Sequence, residues 1–332
     1  MRIIVTGGAG FIGSNLIHYL IENYPEYQIL NIDKLTYASN LKALEAVKDS
    51  NQYTFKKIDL VDRQAVKDII KKFRPEGVFH LAAESHVDNS ISGPEPFIQS
   101  NIVGTFNLIE ECRTYWQEVD EPFDTFRFLH VSTDEVYGEL EEDGFFTEET
   151  PYAPNSPYSA SKASSDFIVR AYNKTYDMNV VTTNCSNNFG RFQHDEKLIP
   201  TVIRTALKEE DIPVYGKGEN IRDWLYVEDH CKALDLAFHK GEAGETYNIG
   251  GRNEWKNIDL VREICDILNE ETGNGPDGDY KNLITFVADR PGHDYRYAID
   301  ARKIENELGW QAEGAFTDKL RDTIRWYIKR YL

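Results

Sequence analysis

The amino-terminal turn constrains the fold more than any other part of the sequence. The apolar run RIIVT leads into GGAGFIG, which places Gly7, Gly10 and Gly13 around the start of a segment of helical periodicity over 11–23. Gly7 suits a tight turn, Gly10 admits a pyrophosphate close to the backbone, and Gly13 lets helix and strand pack closely. With a helix amino terminus facing the phosphates, the turn predicts a dinucleotide site. The alternative is a glycine-rich turn without a ligand.

An acidic residue at a suitable distance supports the dinucleotide interpretation. Asp33 ends the second apolar run, QILNID, twenty residues after Gly13. Its carboxylate can accept hydrogen bonds from an adenosine ribose and repels a 2′-phosphate, which favours NAD over NADP. Lys34 beside it weakens that preference. Asp59 ends the third apolar run and is expected near the adenine.

Short apolar runs alternate with helical segments through the first half of the chain. After QILNID come a helical stretch near 41–47, the strand-like YTFKKIDL, a helix over 62–73 and the strand GVFHLAA. Long helices over about 94–116 and 159–176 flank the strand FRFLHVS, and NVVTTNCS follows. This alternation predicts an α/β fold with a Rossmann-like, doubly wound parallel sheet.

The pattern changes after Ser186, where proline, glycine and polar residues become denser. We interpret 1–186 as the NAD-binding Rossmann domain, to which about 223–250 returns. Segments 187–222 and 251–332 are expected to form a smaller mixed α/β lobe that binds the substrate. Such a lobe would cover the carboxyl edge of the sheet, where open α/β sheets hold their ligands.

Composition excludes several classes of protein. The 332-residue chain has a formal charge of −19, which repels nucleic acids and anionic membranes. No apolar run reaches the ~18 residues of a membrane span, and the glycine-broken amino terminus is unlike a signal peptide. The four cysteines are scattered without a C-x-x-C pair, which indicates a reducing cytoplasm and no metal site; they are Cys112, Cys185, Cys231 and Cys265.

A tyrosine and a lysine stand four residues apart in YSASK. On a helix, Tyr158 and Lys162 share one face with ~6 Å of rise between them. Lys162 is predicted to lower the pKa of the phenol and to hold the nicotinamide ribose, so that Tyr158 can take a hydroxyl proton while hydride leaves. Tyr53 and Lys57 have the same spacing but fall in a strand, where four residues span ~13 Å. The alternative for Tyr158 is a helix-surface tyrosine.

Two adjacent carboxylates, Asp134 and Glu135, follow the strand FRFLHVS in the segment STDEVYG. Like charges held close push their pKa values apart, so that one carboxyl stays protonated near neutral pH. Such a pair can supply the acid and the base of one elimination, although a solvated loop is the alternative. The residues alone leave open which of the two is protonated.

Further motifs follow in order along the chain: DKLTYASN, LAAESHVD, CSNNFG, EKLIP, IRDWLYVEDH, YNIGG and DRPGHD. With the glycine turn, STDEVYG and YSASK, they resemble the extended short-chain dehydrogenases/reductases, and among them the nucleoside-diphosphate-glucose 4,6-dehydratases. The resemblance extends to about residue 300. It implies NAD as cofactor and a nucleotide-sugar as substrate, with dTDP-glucose favoured, and a place in deoxysugar biosynthesis such as that of rhamnose.

The resemblance also implies the role of each site residue. Thr133 would contact the sugar, Asp134 would be the acid, Glu135 the base, and Tyr158 with Lys162 the redox pair. The residues implied for NAD are Gly7, Gly10, Phe11, Ile12, Gly13, Asp33, Lys34, Leu35, Thr36, Asp59, Leu60, Leu81, Ala82, Ala83, Ser100, Tyr158, Lys162 and Asn188. Those implied for the nucleotide-sugar are Ser85, Thr133, Asn187, Lys197, Leu198, Tyr215, Arg222, Asn257, Arg290 and His293.

Four of the substrate residues have a physical reason for their place. The guanidinium groups of Arg222 and Arg290 can each bind diphosphate oxygens through two hydrogen bonds. Tyr215 can stack on a nucleotide base, with a core or rim tyrosine as the alternative. His293 can donate to a phosphate, or it is a structural histidine.

In the resembling family the two long helices pair with a second copy of themselves, which implies a homodimer. The residues whose periodicity allows such a contact are Phe106, Leu108, Ile109, Phe167, Ile168 and Ala171. Burial against the protein's own sheet is the competing explanation.

The chemistry that these residues favour is an internal oxidation and reduction. Oxidation of a hexose at C4 makes the C5 proton acidic, so that the C6 hydroxyl can leave with a base and an acid in place. Three alternatives stay open: a dehydratase for a UDP-, CDP- or GDP-hexose, a nucleotide-sugar 4-epimerase, and an NAD-sensing regulatory protein. The epimerase needs no acid pair, so Asp134 and Glu135 discriminate against it.

Overall fold

A computed structural model of the chain describes residues 1–118, 126–273, 275 and 278–332. In chain order these residues form the following elements: β1 (Arg2–Thr6), α1 (Phe11–Asn23), β2 (Gln28–Asp33), β3 (Tyr53–Lys57), α2 (Arg63–Phe73), β4 (Gly77–His80), α3 (Val87–Ser92), α4 (Glu95–Phe97), α5 (Gly104–Glu118), β5 (Arg127–Thr133), α6 (Pro157–Tyr176), β6 (Val180–Cys185), β7 (Asn187–Phe189), α7 (Leu198–Leu207), β8 (Ile212–Tyr215), β9 (Ile221–Tyr226), α8 (Val227–Lys240), β10 (Thr246–Ile249), β11 (Glu254–Lys256), α9 (Asn257–Thr272), β12 (Ile284–Val287), α10 (Arg302–Leu308) and α11 (Phe316–Tyr331).

Seven parallel strands form the central sheet, in the order β3-β2-β1-β4-β5-β6-β10. Thr6 at the end of β1 lies opposite His80 of β4, and Thr133 of β5 lies opposite Cys185 of β6. The strand order reverses between β1 and β4, which places a crevice outside their carboxyl ends. The predicted doubly wound, Rossmann-like sheet is confirmed.

Helices cover both faces of this sheet and enclose two apolar cores. On one face α1 and α8 pack through residues such as Leu16, Ile17 and Leu234. On the other face α2, α5 and α6 pack through Val66, Leu108 and Val169. Burying each such side chain contributes roughly 1.5–3 kcal/mol relative to leaving it exposed, which explains why the strands read as continuous apolar runs.

A smaller mixed lobe lies at the carboxyl edge. In it β9 pairs in parallel with β7 and antiparallel with β11, and β8 pairs with β12. Its core is formed by α7, α9 and α11. The chain rejoins the large sheet at α8 and β10, whereas β9 belongs to the small sheet. Ile304 and Leu308 of α10 also pack in the core of the large sheet, although the sequence assigns them to the smaller lobe. The division into domains at the predicted boundaries stays a prediction.

The two long helical segments differ in regularity. The segment predicted near 94–116 contains a π-helical stretch, Ile98–Val103, between α4 and α5, and the Gly104 amide donates to the carbonyl of Gln99. Helix α6 begins two residues earlier than predicted, because Ser156 and Ser159 form a capping box with Pro157 at the first helical position.

Two further expectations meet a different outcome. The helix predicted near 41–47 is a single 3₁₀ turn, Leu41–Leu44, which buries Ala43 and Leu44 alone and so has too short an apolar face to continue. Leu108 and Ile109, proposed for a dimer contact, are buried in the protein's own core, as the competing explanation held.

The last expectations concern the residues proposed for a dimer contact on the two long helices, and the cysteines. Phe106, Phe167 and Ala171 are exposed on α5 and α6. All four cysteines are buried and free. Among the described helices, not one is long and apolar enough to cross a bilayer.

Candidate active site

The glycine turn between β1 and α1 leaves no room for side chains. Gly7 has a φ of +69°, and a Cβ there would lie 2.8 Å from the Ala82 amide nitrogen. A Cβ on Gly13 would lie 2.3 Å from the Gly7 carbonyl oxygen. Gly10 precedes α1, and no side chain caps this helix end. The first-turn amides therefore form a suitable anion site, so the residues present fit the pyrophosphate of a dinucleotide.

Asp33 is held rigidly at the carboxyl end of β2. Its carboxylate accepts hydrogen bonds from the amides of Ala9 (3.0 Å) and Leu35 (2.8 Å) and from the Ser39 hydroxyl (3.1 Å). The neighbouring Lys34 forms an ion pair with Glu84 at 2.8 Å. Because Glu84 balances this lysine, Lys34 needs no 2′-phosphate as a partner, which agrees with the preference for NAD that Asp33 indicates.

One cleft along the carboxyl edge brings together most of the predicted residues. All five catalytic candidates line it, as do all the predicted NAD residues except Leu35. Of the predicted substrate residues, those that line it are Ser85, Thr133, Asn187, Lys197 and Leu198. The redox pair, the acid pair and the glycine turn thus share one continuous space.

The other predicted substrate residues lie on the second lobe, outside the lining of this cleft; they are Tyr215, Arg222, Asn257, Arg290 and His293. Asp88 of α3 accepts hydrogen bonds from Arg290 Nη1 (3.1 Å) and from the Tyr215 hydroxyl (3.1 Å). The Asp88 carboxylate therefore binds two side chains, Arg290 and Tyr215, that were predicted to contact the substrate. His293 pairs through Nδ1 with Asp289 at 2.7 Å.

The guanidinium of Arg222 is engaged by the backbone, which differs from the predicted diphosphate contact. Its Nη1 donates to the carbonyls of Ile221 (2.8 Å) and Tyr295 (3.2 Å), and its Nη2 donates to Asp294 (2.8 Å). It also lies over the Tyr297 ring, with 4.1 Å to the centroid. In this arrangement Arg222 contributes charge to the site rather than two open donors.

Asp134 lies in a 3₁₀ turn that begins where β5 ends. Thr133 caps this turn: its hydroxyl accepts from the Glu135 amide at 3.4 Å and donates to Asp134 Oδ1 at 3.3 Å. Asp134 is 1% exposed, and its Oδ2 has no partner among the described residues. Burial raises the pKa of Asp134 well above its ordinary value, and the carboxylates of Glu135 and Asp223 raise it further.

Glu135 is in a different electrostatic setting. Burial raises its pKa as well, but the cations of Arg290, Arg222 and Lys197 act in the opposite direction. On Asp134 the two carboxylates act more strongly than the one cation, Arg222, whereas on Glu135 the three cations act more strongly than the one carboxylate, Asp294. The surrounding charges therefore favour a proton on Asp134 over one on Glu135.

Tyr158 and Lys162 lie on one face of α6, and both side chains are buried. Lys162 Nζ donates to the Val131 carbonyl at 2.8 Å. Burial raises the pKa of Tyr158 well above its ordinary value, the Glu135 carboxylate adds to this, and a hydrogen bond with Thr133 opposes it. The pKa of the phenol is therefore raised here rather than lowered as predicted, because burial and the nearby carboxylates dominate.

Some residues of the site were missed by sequence reasoning. Glu84 and Ser39 hold Lys34 and Asp33, and Trp224 lines the cleft. Asp166 accepts hydrogen bonds from two residues of β5 beside Lys162. Asp166 could have been found by continuing the four-residue spacing of Tyr158 and Lys162 by one step. The others had no signal in the local sequence.

The fold, the glycine turn and the paired tyrosine and lysine define an extended short-chain dehydrogenase/reductase. The family profile described as GDP-mannose 4,6 dehydratase matches residues 4–323. A dTDP-glucose 4,6-dehydratase of Shigella flexneri is 54% identical over 338 residues, with 99% of this chain and 93% of that protein covered. A dTDP-glucose 4,6-dehydratase of Haemophilus influenzae is 51% identical over 332 residues, with 99% of this chain and 98% of that protein covered. The chain belongs to the nucleotide-sugar 4,6-dehydratase family.

Solved structures agree with this assignment. A dTDP-glucose 4,6-dehydratase of Bacillus anthracis in complex with NAD is 44% identical, with a TM-score of 0.87 over 99% of this chain and 97% of that one. A dTDP-glucose 4,6-dehydratase of Streptomyces venezuelae is 40% identical, with a TM-score of 0.90 and the same coverage of both chains. A UDP-glucose 4-epimerase of Thermotoga maritima is 28% identical, with a TM-score of 0.87 over both whole chains. Since epimerases share the fold, the acid pair has to separate the two activities.

Proposed function

We propose that this protein is a dTDP-glucose 4,6-dehydratase, an NAD-dependent hydro-lyase that converts dTDP-glucose to dTDP-4-keto-6-deoxyglucose. The observation that carries the proposal is the acid pair. The carboxylates that act on Asp134 outweigh its one cation, and the cations that act on Glu135 outweigh its one carboxylate, in the same cleft as Tyr158 and Lys162. An elimination needs one protonated and one ionised carboxyl, and this distribution of charge supports that division.

The first step assigned to this chain is the removal of the C4 hydroxyl proton by Tyr158. NAD, when bound, supplies the acceptor for the C4 hydride, later returns that hydride to C6, and through its positive nicotinamide ring favours the phenolate of Tyr158. Lys162 contributes a second positive charge on the same face of α6. Thr133, which lies in the cleft beside the acid pair, can donate to the sugar hydroxyl.

The second step belongs to the acid pair. With a ketone at C4, Glu135 takes the C5 proton, and Asp134 gives its proton to the C6 oxygen, which leaves as water. Both carboxyls lie in one turn. Glu135 then returns its proton to C5, so that the net change is the loss of one water.

Several residues favour a nucleoside diphosphate as the anionic part of the substrate. Lys197 lines the cleft, and Arg222 and Arg290 act electrostatically on Glu135 from the second lobe. A diphosphate would displace Asp88 from Arg290, because it offers more negative charge to the same guanidinium. We assign the smaller lobe, 187–222 and 251–332, to binding of the nucleotide-sugar.

We propose a cytoplasmic homodimer as the working state. Phe106 and Phe167 are 38% and 58% exposed on α5 and α6, and large aromatic side chains are rarely left this open on two adjacent helices. The four free cysteines agree with a reducing compartment.

The test is an assay of the purified protein with dTDP-, UDP-, CDP- and GDP-glucose. We expect a 4-keto-6-deoxy product, read by its absorbance in alkali, from dTDP-glucose well above the other three. Release of a hexose that keeps its C6 hydroxyl and is inverted at C4 would refute dehydration in favour of epimerisation. Turnover of another nucleotide-sugar in preference to dTDP-glucose would change the base assignment.

A further inference from the structure

A buried carboxylate that the proposed reaction does not use lies directly behind the catalytic residues. On β5 the side chains of His130 and Ser132 share one face, because alternate residues of a strand do so. Both bind Asp166 of α6: His130 Nε2 lies 2.9 Å from Oδ1, and the Ser132 hydroxyl donates to Oδ2 at 2.7 Å. None of the three is more than 4% exposed.

Lys162 binds the same strand between these two residues. Its ammonium donates to the carbonyl of Val131 at 2.8 Å. Lys162 and Asp166 are four residues apart on α6 and so lie on one face of the helix. Helix α6 is therefore attached to β5 at three successive residues, and the next two residues of the chain are Thr133 and Asp134.

The groups that face Lys162 leave Asp166 as its main source of negative charge among the described residues. Asp166 raises the pKa of Lys162 against the lowering effect of burial. Cys185 of β6 also faces it, but burial raises the pKa of that thiol to about 12, so it stays protonated. His80 of β4 and His130 of β5 face it too, and burial lowers the pKa of both, so they are neutral.

The remaining ionisable groups that face Asp166 are two phenols. Tyr137 belongs to the turn after β5, and Tyr152 precedes α6. Burial raises the pKa of both, which keeps them neutral. Lys162 is the cation on which Asp166 acts most strongly from within the same helix face. The two charges are thus matched inside the core.

We propose that Asp166 is a positioning residue that holds β5 against α6 and keeps Lys162 positively charged, so that the redox pair and the acid–base pair stay aligned. The inference rests on the proposed dehydratase function. The redox pair lies on α6 and the acid pair follows β5. In this proposal Asp166 keeps the two pairs aligned without touching substrate or cofactor.

The decisive variant is Asp166→Asn, which keeps the shape and one acceptor but removes the charge. We expect kcat to fall about tenfold with KM unchanged, and the basic limb of the pH profile to move down by about one pH unit, since Lys162 loses its proton more easily. With dTDP-glucose deuterated at C4, the isotope effect on kcat should increase, because the oxidation step becomes slower. That readout separates Lys162 from Asp134, which acts in the elimination.

Two further variants separate alignment from general destabilisation. Ser132→Ala keeps the charge but loses one bond to β5; it should lower kcat about threefold and raise the isotope effect without moving the basic limb. Asp229→Asn removes a carboxylate that is 3% exposed and paired with Lys319 away from the cleft; it should lower Tm alone.

The outcomes decide the inference separately from the function. If the unmodified enzyme fails to dehydrate dTDP-glucose, the proposed function is wrong. If it succeeds and Asp166→Asn has an unchanged basic limb and isotope effect, the inference about Asp166 is wrong. Should Asp166→Asn fail to fold, Ser132→Ala decides alone, since an unaltered isotope effect and kcat in that variant would overturn the alignment.

Discussion

At the scale of single residues, the chemistry of the cleft depends on how neighbouring charges act on two adjacent carboxyls. Asp134 and Glu135 are next to each other in sequence and both feel Arg222, yet Asp223 acts on the first and Arg290 acts most strongly on the second. Burial acts on both in the same direction. The surrounding charges therefore divide the roles, and each carboxyl should fail in its own way when it is neutralised.

Replacing the base should stop the reaction after oxidation. In Glu135→Gln the C5 proton has no acceptor, so we expect reduced nicotinamide to accumulate on the enzyme while the dehydrated product forms at least about 100-fold more slowly. Absorbance of the reduced cofactor and alkaline detection of the keto product measure the two steps. Glu142→Gln, an exposed glutamate on the loop after the turn, is the control and should behave like the unmodified protein. Dehydration at the native rate in Glu135→Gln would remove Glu135 from the base role.

At the scale of elements, the amino terminus of α1 and its contact with α8 have different tasks. The first presents uncapped amides to the cleft and depends on glycines that admit no Cβ. The second lies away from the cleft, where the Asp235 carboxylate of α8 accepts hydrogen bonds from the hydroxyls of Tyr19 in α1 (3.3 Å) and of Tyr24 just after it (2.8 Å). A change at the amino terminus of α1 should therefore affect cofactor binding, whereas a change at the contact with α8 should affect stability.

Adding one methyl group to the glycine turn should weaken binding of the cofactor. In Gly13→Ala the new Cβ would lie 2.3 Å from a backbone oxygen, so α1 must move away from β1 and its amides leave the phosphate position. We expect the purified variant to retain less than about a tenth of the NAD bound to the unmodified protein, by analogy with the loss of two hydrogen bonds. Gly93→Ala is the control, since its Cβ would meet nothing closer than 3.8 Å. Full NAD content in Gly13→Ala would contradict the tight packing.

A pair of residues within α8, together with Tyr27 of the segment that follows α1, should make stability depend on pH. His239 Nδ1 lies 3.1 Å from Asp235 Oδ1, and its Nε2 lies 2.7 Å from the Tyr27 hydroxyl. Burial lowers the pKa of His239, but the hydrogen bonds and charge of Asp235 outweigh it, and the pKa is raised. A raised pKa contributes stability below the unfolded value of ~6.5, and that contribution is lost as pH rises through the folded-state value.

His239→Gln should therefore lower Tm more at about pH 5.5 than at about pH 8.5. Thermal unfolding of both proteins at each pH measures the difference. In an Asp235→Asn background the pH dependence of the effect should disappear, because the partner charge is gone. An equal loss of Tm at both pH values would show that the charge of His239 contributes nothing.

At the scale of the whole molecule, the large sheet and the small lobe meet around the cleft, while α5 and α6 turn an aromatic face outward. Lys162 and Asp166 attach the inner face of α6 to β5. Phe167 on the same helix is 58% exposed. A dimer through this face would leave the cleft open and add support to the helix that carries the redox pair.

Introducing charge on the outward face of α6 should dissociate the dimer. Phe167→Asp places a carboxylate where the proposed interface is apolar, so we expect a monomer in sedimentation velocity at micromolar concentration. Phe286→Asp serves as the matched control, since Phe286 is 56% exposed on β12 of the small lobe. A dimer that persists in Phe167→Asp would place the interface elsewhere.

The sequence by itself determined the parts of the protein that depend on local spacing. The glycine turn, the alternation of strands and helices, and the pairing of Tyr158 with Lys162 follow from steric rules and helical geometry over a few residues. The parallel direction of the large sheet follows from that alternation. The family resemblance then indicated which residues meet in the cleft, and Leu35 was the NAD candidate outside its lining.

Only the tertiary structure decided how the polar groups are charged and engaged. Asp88 and Arg290 meet although 202 positions separate them in sequence, and Asp223 reaches Asp134 from another sheet. Burial and distant charges act through space, so no local pattern reveals that the pKa of Asp134 is raised well above its ordinary value or that Arg222 binds carbonyls. For the same reason Asp166, four residues beyond Lys162, acquires its importance only when β5 is packed against α6.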